Sequence, residues 1–201
     1  MGHKVTRAPD NKIGDIVNFL AEAGQLKRVK RSGWWVVGVK DPESVAEHCF
    51  RCAVIGYVLA KMEKADPYKV IFMALFNDIH ESRINDLHKM GHRYIDFKEA
   101  EKKVFEEQIK LLPLILLGEF RAMRKEYDNQ QTREAVVARD ADILECILQA
   151  KEYHEFGYTQ TASFMRAGTK FLKTRSAREL FKKIKRWDSK RWWVHLTKFE
   201  R

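Results

Sequence analysis

The sequence predicts an all-α protein. Apolar residues recur at three-to-four spacing through most of its 201 residues, the period of a helix with one buried face. Helix-start signals stand ahead of three such stretches: Ser44 with Glu47, Asp66 with Pro67, and Thr132. The only strand-like run is WWVVGV at 34–39. The length fits one domain with a real core. We divide it into a helical body over 1–168 and a basic, aromatic extension over 169–201, packed on or beside that body.

The elements follow in order. Residues 12–29 form an amphipathic helix, with Ile13, Ile16, Val17, Leu20, Ala21 and Leu26 on its apolar side. A basic-aromatic loop, Lys30 to Trp35, comes next, and VVGVK reads as a short extended piece. Ser44 and Glu47 make a capping box for a helix that runs to about Glu63 on Val45, Cys49, Cys52, Ala53 and Leu59. Asp66 and Pro67 start another, buried through Val70, Ile71, Ala74 and Leu75. His88 to Ile95 reads as loop. A helix over 97–117 carries Pro113 as a kink or break, and 119–127 is helical or continues it. Thr132 caps a long helix that Gly157 ends. A short helix fits within 159–173, and Ser176 starts a last basic one.

Bulk properties narrow the class. Apolar residues make up 45% and charged residues 33%, ordinary for a soluble globular protein. Residues 1–12 hold no apolar stretch of signal-peptide length. No apolar run approaches membrane-spanning length, and LLPLILL at 111–117 is too short. Three cysteines make no disulfide framework, so a cytoplasmic setting is expected. The formal charge is +10, and residues 169–201 alone hold 12 Lys/Arg against 3 Asp/Glu. That tail suits a polyanion such as nucleic acid, or is simply a solvated basic helix.

The stretch Val70 to His88 carries the strongest chemical signal. It begins as a core helix and ends in Asn77, Asp78, His80 and Glu81. Buried helices seldom end in such groups unless these have partners, because an unpaired buried charge is costly. His48 lies one turn inside its helix, and Asp142 lies mid-helix beside Ala138, Ala141 and Glu145. His48, Asp78 and Asp142 are nitrogen and oxygen donors from three separate helices, a set that suits a divalent transition metal or magnesium. Cys49 and Cys52 form a C-x-x-C on a helix, which reads as two core residues. His80, His88 and His92 are candidate polar contacts near the site mouth. Arg31 and Trp34 flank Gly33; an arginine fork grips phosphate and an indole offers a stacking face.

Taken together, LKRVKRSGWW, PESVAEH, ALFNDIHESRINDL and ARDADILECILQAKEY resemble the HD-domain metal-dependent phosphohydrolases, in the branch of the 5′-deoxynucleotidases. The resemblance runs from about Leu26 to Tyr153. It implies one divalent metal (Mn, Co, Mg, Zn or Ni) held by His48, Asp78, Asp142 and the residue at position 77. It places catalytic roles on Glu81 and Asp86, without deciding which handles the water and which the leaving oxygen. It places substrate contacts on Arg31 and Trp34. The implied reaction is hydrolysis of (deoxy)ribonucleoside 5′-monophosphates to nucleoside and phosphate, by a homodimer. One departure stands out: the family doublet is His-Asp, and here it is Asn77-Asp78. Losing an imidazole weakens a metal site. The change fits a natural variant with altered metal use, an inactive relative that still binds nucleotides, or an introduced substitution. Two further functions therefore stay open: a nucleotide sensor without turnover, and a phosphodiesterase acting on nucleic acid, the less favoured.

Overall fold

A computed structural model describes residues 12–168, 170–194 and 196. The helices, in order, are α1 (Lys12–Ala23), α2 (Gly33–Val36), α3 (Val45–Glu63), α4 (Pro67–Phe76), α5 (Glu81–Ile84), α6 (Phe97–Ile109), α7 (Leu114–Asn129), α8 (Arg133–Glu155), α9 (Ala162–Gly168), α10 (Arg175–Ile184) and α11 (Arg191–Val194). Among the described residues there is no β-strand, and Lys30 and Ser44 form an isolated bridge. The fold is all-α.

The caps work as their residue types dictate. Ser44 accepts from the Glu47 backbone N–H while Glu47 Oε2 accepts from the Ser44 N–H, at 3.2 and 2.6 Å. Asp66 accepts from the Tyr68 N–H at 2.9 Å, ahead of Pro67 at the first helical position. Thr132 accepts from the Ala135 N–H at 3.1 Å and starts α8. Each bond satisfies a donor that a helix start leaves open.

Helices α3, α4 and α8 form the centre. Gly56 of α3 makes their close approach possible: a Cβ there would sit 3.1 Å from Val70 Cγ1 and 3.7 Å from the Cβ atoms of Ala74 and Ala141. Small residues on all three helices let the backbones meet, and the polar residues on neighbouring turns are carried together. Leu59, Val70, Met73, Val137, Leu144 and Ile147 fill the core around that crossing. A second cluster gathers Phe19, Val45, Ile79, Phe105, Ile109 and Phe120. Leu172 and Ala177 belong to the first cluster, so the chain past residue 168 packs on the helical body.

The structure corrects several expectations. Ile13, Val17 and Leu20 of α1 are exposed, and Phe19 is the buried residue. Leu26 lies in the second cluster and Ile16 packs against it, as expected, and a ring contact at 5.4 Å between Phe19 and Phe120 turns the rest of α1 so that Ile13, Val17 and Leu20 face outward. The helix also stops at Ala23, and a 3-10 turn spans Gly24–Lys27. Leu75 lies outside the core. WWVVGV is not extended: α2 occupies its first half, and Gly38, at φ 85°, turns the chain where a β conformation would have to continue. Pro113 breaks rather than kinks, standing just ahead of α7. Thr174, not Ser176, caps α10, accepting from the Ala177 N–H at 3.2 Å. The aromatic-basic run 191–201, unassigned from sequence, contains α11; residues 195 and 197–201 lie outside the described residues.

Candidate metal and substrate site

Helix α4 ends at Phe76, and residues 77–80 turn the chain into α5. Two neighbours hold that turn by its carbonyls. Arg124 of α7 donates to the Asn77 carbonyl at 3.1 Å, and Gln108 of α6 donates to the Ile79 carbonyl at 3.1 Å. The side chains of the turn are thereby fixed against α3 and α8.

His48, Asp78 and Asp142 meet. His48 Nε2 lies 3.2 Å from Asp142 Oδ1 and 3.6 Å from Asp78 Oδ2. The other ring nitrogen, Nδ1, lies 2.5 Å from Glu145 Oε2. Glu145 is fully buried and also accepts from Arg51 Nε at 2.9 Å. Arg51 continues to Glu152 at 2.8 Å and Gln149 at 2.5 Å. Among the described residues, His48, Cys52 and Glu145 bring metal-type donor atoms within 4.8 Å of one another. Glu145, however, holds the Nδ1 side of the ring, whereas the two aspartates face Nε2. Glu145 therefore orients the imidazole, and the open donors are His48 Nε2, Asp78 and Asp142. Burial pushes the Cys52 thiol up to about 12, which leaves it a neutral packing group.

The charge balance fits a cation. Burial works against ionising Asp142, but the hydrogen bond from His48 and the charge of Arg139 hold its carboxyl well below the usual range. Arg139 reaches Asp142 at 2.8 Å. Glu81 is buried with Oε2 lacking a hydrogen-bond partner; burial first, and then the charge of Asp78, push its pKa well up. One imidazole nitrogen and two carboxylates, with a third carboxyl unpartnered nearby, make a donor set that a divalent ion satisfies. Asn77 is half-buried, and its amide donates to Asp78 Oδ1 at 2.8 Å. It thus touches one of the candidate ligands instead of standing apart from them.

Arg31 sits over this group. Its Nη1 lies 3.6 Å from Asp78 Oδ2 and 3.7 Å from Asp86 Oδ1. Asp86 also accepts from the Ser32 backbone N–H, so it pins the loop that carries Arg31. The other side of that loop is tied to the start of α3, where the Arg31 N–H bonds the Glu43 carbonyl at 3.0 Å and the Val45 N–H bonds the Val29 carbonyl at 2.8 Å. Trp34 corrects an expectation: it is only 2% exposed. Its ring packs on Tyr153 and Phe164 at 5.3 and 4.7 Å, and its Nε1 donates to Glu43 at 3.0 Å. The indole therefore anchors the loop from beneath and offers no open stacking face. Burial, with the nearby charge of Glu145, raises Glu43 to about 7.

Of the other residues singled out, His80 is buried, 3.4 Å from Glu101 and edge-on to Phe97. The His88 and His92 rings bond loop backbone, the Gly91 N–H at 3.2 Å and the Leu87 carbonyl at 2.8 Å. Asp140, two residues from Asp142, is buried and accepts from the N–H groups of Lys173 and Thr174 at 2.9 and 2.7 Å; its work is to hold the chain ahead of α10. Three residues were missed as site components: Glu145, Arg51 and Glu43. Only Glu145 had a signal, one turn beyond Asp142 on the same helix.

The profile of the HD domain matches residues 23–185. The 5′-deoxynucleotidase HDDC2 of Xenopus laevis is 36% identical over 141 residues, covering 70% of each chain. Its Homo sapiens counterpart is 34% identical over 141 residues, 70% of this chain and 69% of that one. Among solved structures, a conserved hypothetical protein from Pyrococcus furiosus superposes with a TM-score of 0.73 at 30% identity, over 85% of this chain and 99% of that one. The cyanophage S-2L HD phosphohydrolase DatZ, solved with dA and one catalytic zinc ion, shares the fold at a TM-score of 0.54 and 17% identity, over 83% and 96% of the two chains. With its helical centre, its histidine and its two aspartates, the chain belongs to the HD-domain family.

Proposed function

We propose that this chain is a metal-dependent phosphomonoesterase that hydrolyses (deoxy)ribonucleoside 5′-monophosphates to nucleoside and phosphate. One observation carries the reading: Arg31 stands over a buried group of His48, Asp78 and Asp142 on a loop pinned by Asp86. The names of relatives at 34–36% identity support the substrate class.

His48, Asp78 and Asp142 would hold the ion, with Asn77 steadying Asp78 or lending its amide oxygen. A divalent ion bound there supplies water activation and neutralisation of phosphate charge. Arg31 binds the phosphate, since a guanidinium fork matches phosphate oxygens. Glu81 holds the proton: a buried carboxyl with a raised pKa is the group here suited to exchange one with the attacking water or the leaving 5′-oxygen. Asp86 keeps Arg31 and the Ser32 N–H in place. Trp34 stiffens the loop from below. The protein acts as a cytoplasmic homodimer in this reading. Among the described residues no helix is long and apolar enough to cross a membrane.

The test is phosphate release from a panel of ribo- and deoxyribonucleoside 5′-monophosphates with Mn²⁺, Co²⁺, Mg²⁺, Zn²⁺, Ni²⁺ or EDTA, run beside Asn77→His. Release by the natural chain establishes the enzyme. Release only by Asn77→His makes position 77 the switch on a catalytic scaffold. Silence in both, with nucleotide binding intact, favours the sensor; the observation behind that second reading is that Asn77 spends its amide on Asp78.

A further inference from the structure

Helix α3 is apolar on both sides. Val45, Cys49, Cys52, Gly56 and Leu59 are buried against the core. On the opposite side Phe50, Val54, Tyr57, Val58 and Met62 are 68%, 49%, 49%, 44% and 46% exposed. Their spacing, 0, 4, 7, 8 and 12, makes one continuous stripe along three turns. A helix apolar all round is ordinarily covered all round. At roughly 200 Å² for a large side chain, the stripe offers about 500 Å² per protomer. That is over half of the ~800 Å² per partner that a standard interface uses.

We propose that this stripe is the two-fold contact of the homodimer, two α3 helices packing antiparallel about Val54; the inference rests on the homodimer reading above. The register follows from the ends of the stripe. Glu47 and Lys61 are both exposed, and each lies seven residues from Val54, about 10 Å along the axis. A two-fold at Val54 sets Glu47 of one copy against Lys61 of the other at both ends, and Phe50 against Val58 between them. Opposite charges flanking a self-complementary apolar centre are what an isologous interface requires. Glu47 commits Oε2 to Ser44 in the capping box, which fixes its side chain at that edge. The competing exposed strip, Ile13, Val17 and Leu20 of α1, has its flanking acid Glu22 already bonded to Arg83 and Gln108.

The experiment measures mass in solution by light scattering, together with disulfide trapping of Val54→Cys. The expected result is twice the 23.7 kDa chain mass, a covalent dimer of Val54→Cys under mild oxidation, and no such species from the natural chain. Val54→Asp should give a folded monomer by circular dichroism. Lys61→Glu should weaken the dimer by roughly tenfold, through like charges at both ends. A dimer that Val54→Cys does not trap would overturn this surface while leaving the homodimer standing. A monomeric natural chain would overturn both. Val54 is half-exposed, so the cysteine variant stays informative even if the aspartate variant misfolds.

Discussion

Replacing Glu145 with glutamine tests the architecture of the site at its deepest point. The carboxylate bonds two partners at once, His48 Nδ1 at 2.5 Å and Arg51 Nε at 2.9 Å, each through its own oxygen. Glutamine keeps the volume but has one acceptor oxygen, so it serves one partner and turns an N–H₂ toward the other. The imidazole loses either its orienting bond or the negative charge that makes Nε2 a good donor. Loss of such an outer partner typically weakens metal binding ten- to a hundredfold, about 1.4–2.7 kcal/mol. Folding should suffer by a comparable amount, about 1.5–3 kcal/mol for a lost charged hydrogen bond, although Arg51 keeps Glu152 and Gln149. Calorimetric titration of the stripped protein with Mn²⁺, beside thermal unfolding, separates the two effects. Gln149→Ala is the control, since Gln149 contacts Arg51 but not His48. If Glu145→Gln binds Mn²⁺ within twofold of the natural chain, Glu145 does not orient the ligand and the assignment of open donors fails.

Glu81→Gln should lower phosphate release by roughly a hundredfold or more with nucleotide binding kept; unchanged turnover would remove Glu81 from the proton step. Glu43 gives a pH signature. Its folded pKa, about 7, lies above its ordinary 4.5, so the unfolded chain ionises first and stability falls as pH rises between those values, by at most about 3 kcal/mol. Glu43→Gln should therefore match the natural chain in denaturant titration at pH 4.5 and exceed it at pH 8, whereas a gap independent of pH would refute the burial argument. Asp140→Ala should cost about 1.5–3 kcal/mol, because it removes the buried carboxylate that accepts from the N–H groups of Lys173 and Thr174. Metal titration of that variant should be unchanged, and a weakened metal site would mean that Asp140 does more than hold the chain.

The sequence by itself determined the helical class and the three capped helix starts, because these depend on local chemistry. Ser44, Asp66 and Thr132 satisfy donors two or three residues away, whereas Pro113 marked a discontinuity that packing resolved as a break. The candidate set of His48, Asp78, Asp142, Glu81, Asp86 and Arg31 was legible too, through matching of motifs and not from spacing, since no two metal donors lie in one short pattern. What the tertiary structure decided is everything that depends on which faces meet. Periodicity marked Ile13, Val17 and Leu20 as the inner side of α1, but the ring pair of Phe19 with Phe120 turned the helix. Trp34 carried the same local signal whether it lay beneath its loop or above it; Tyr153, over a hundred residues away, decided for beneath. Glu145 becomes the shared partner of His48 and Arg51 only because Gly56, Ala74 and Ala141 let three helices approach closely enough to bring α3 and α8 side chain to side chain. Contacts of that kind are set by the packing of distant segments, and a reading confined to neighbours along the chain has no access to them.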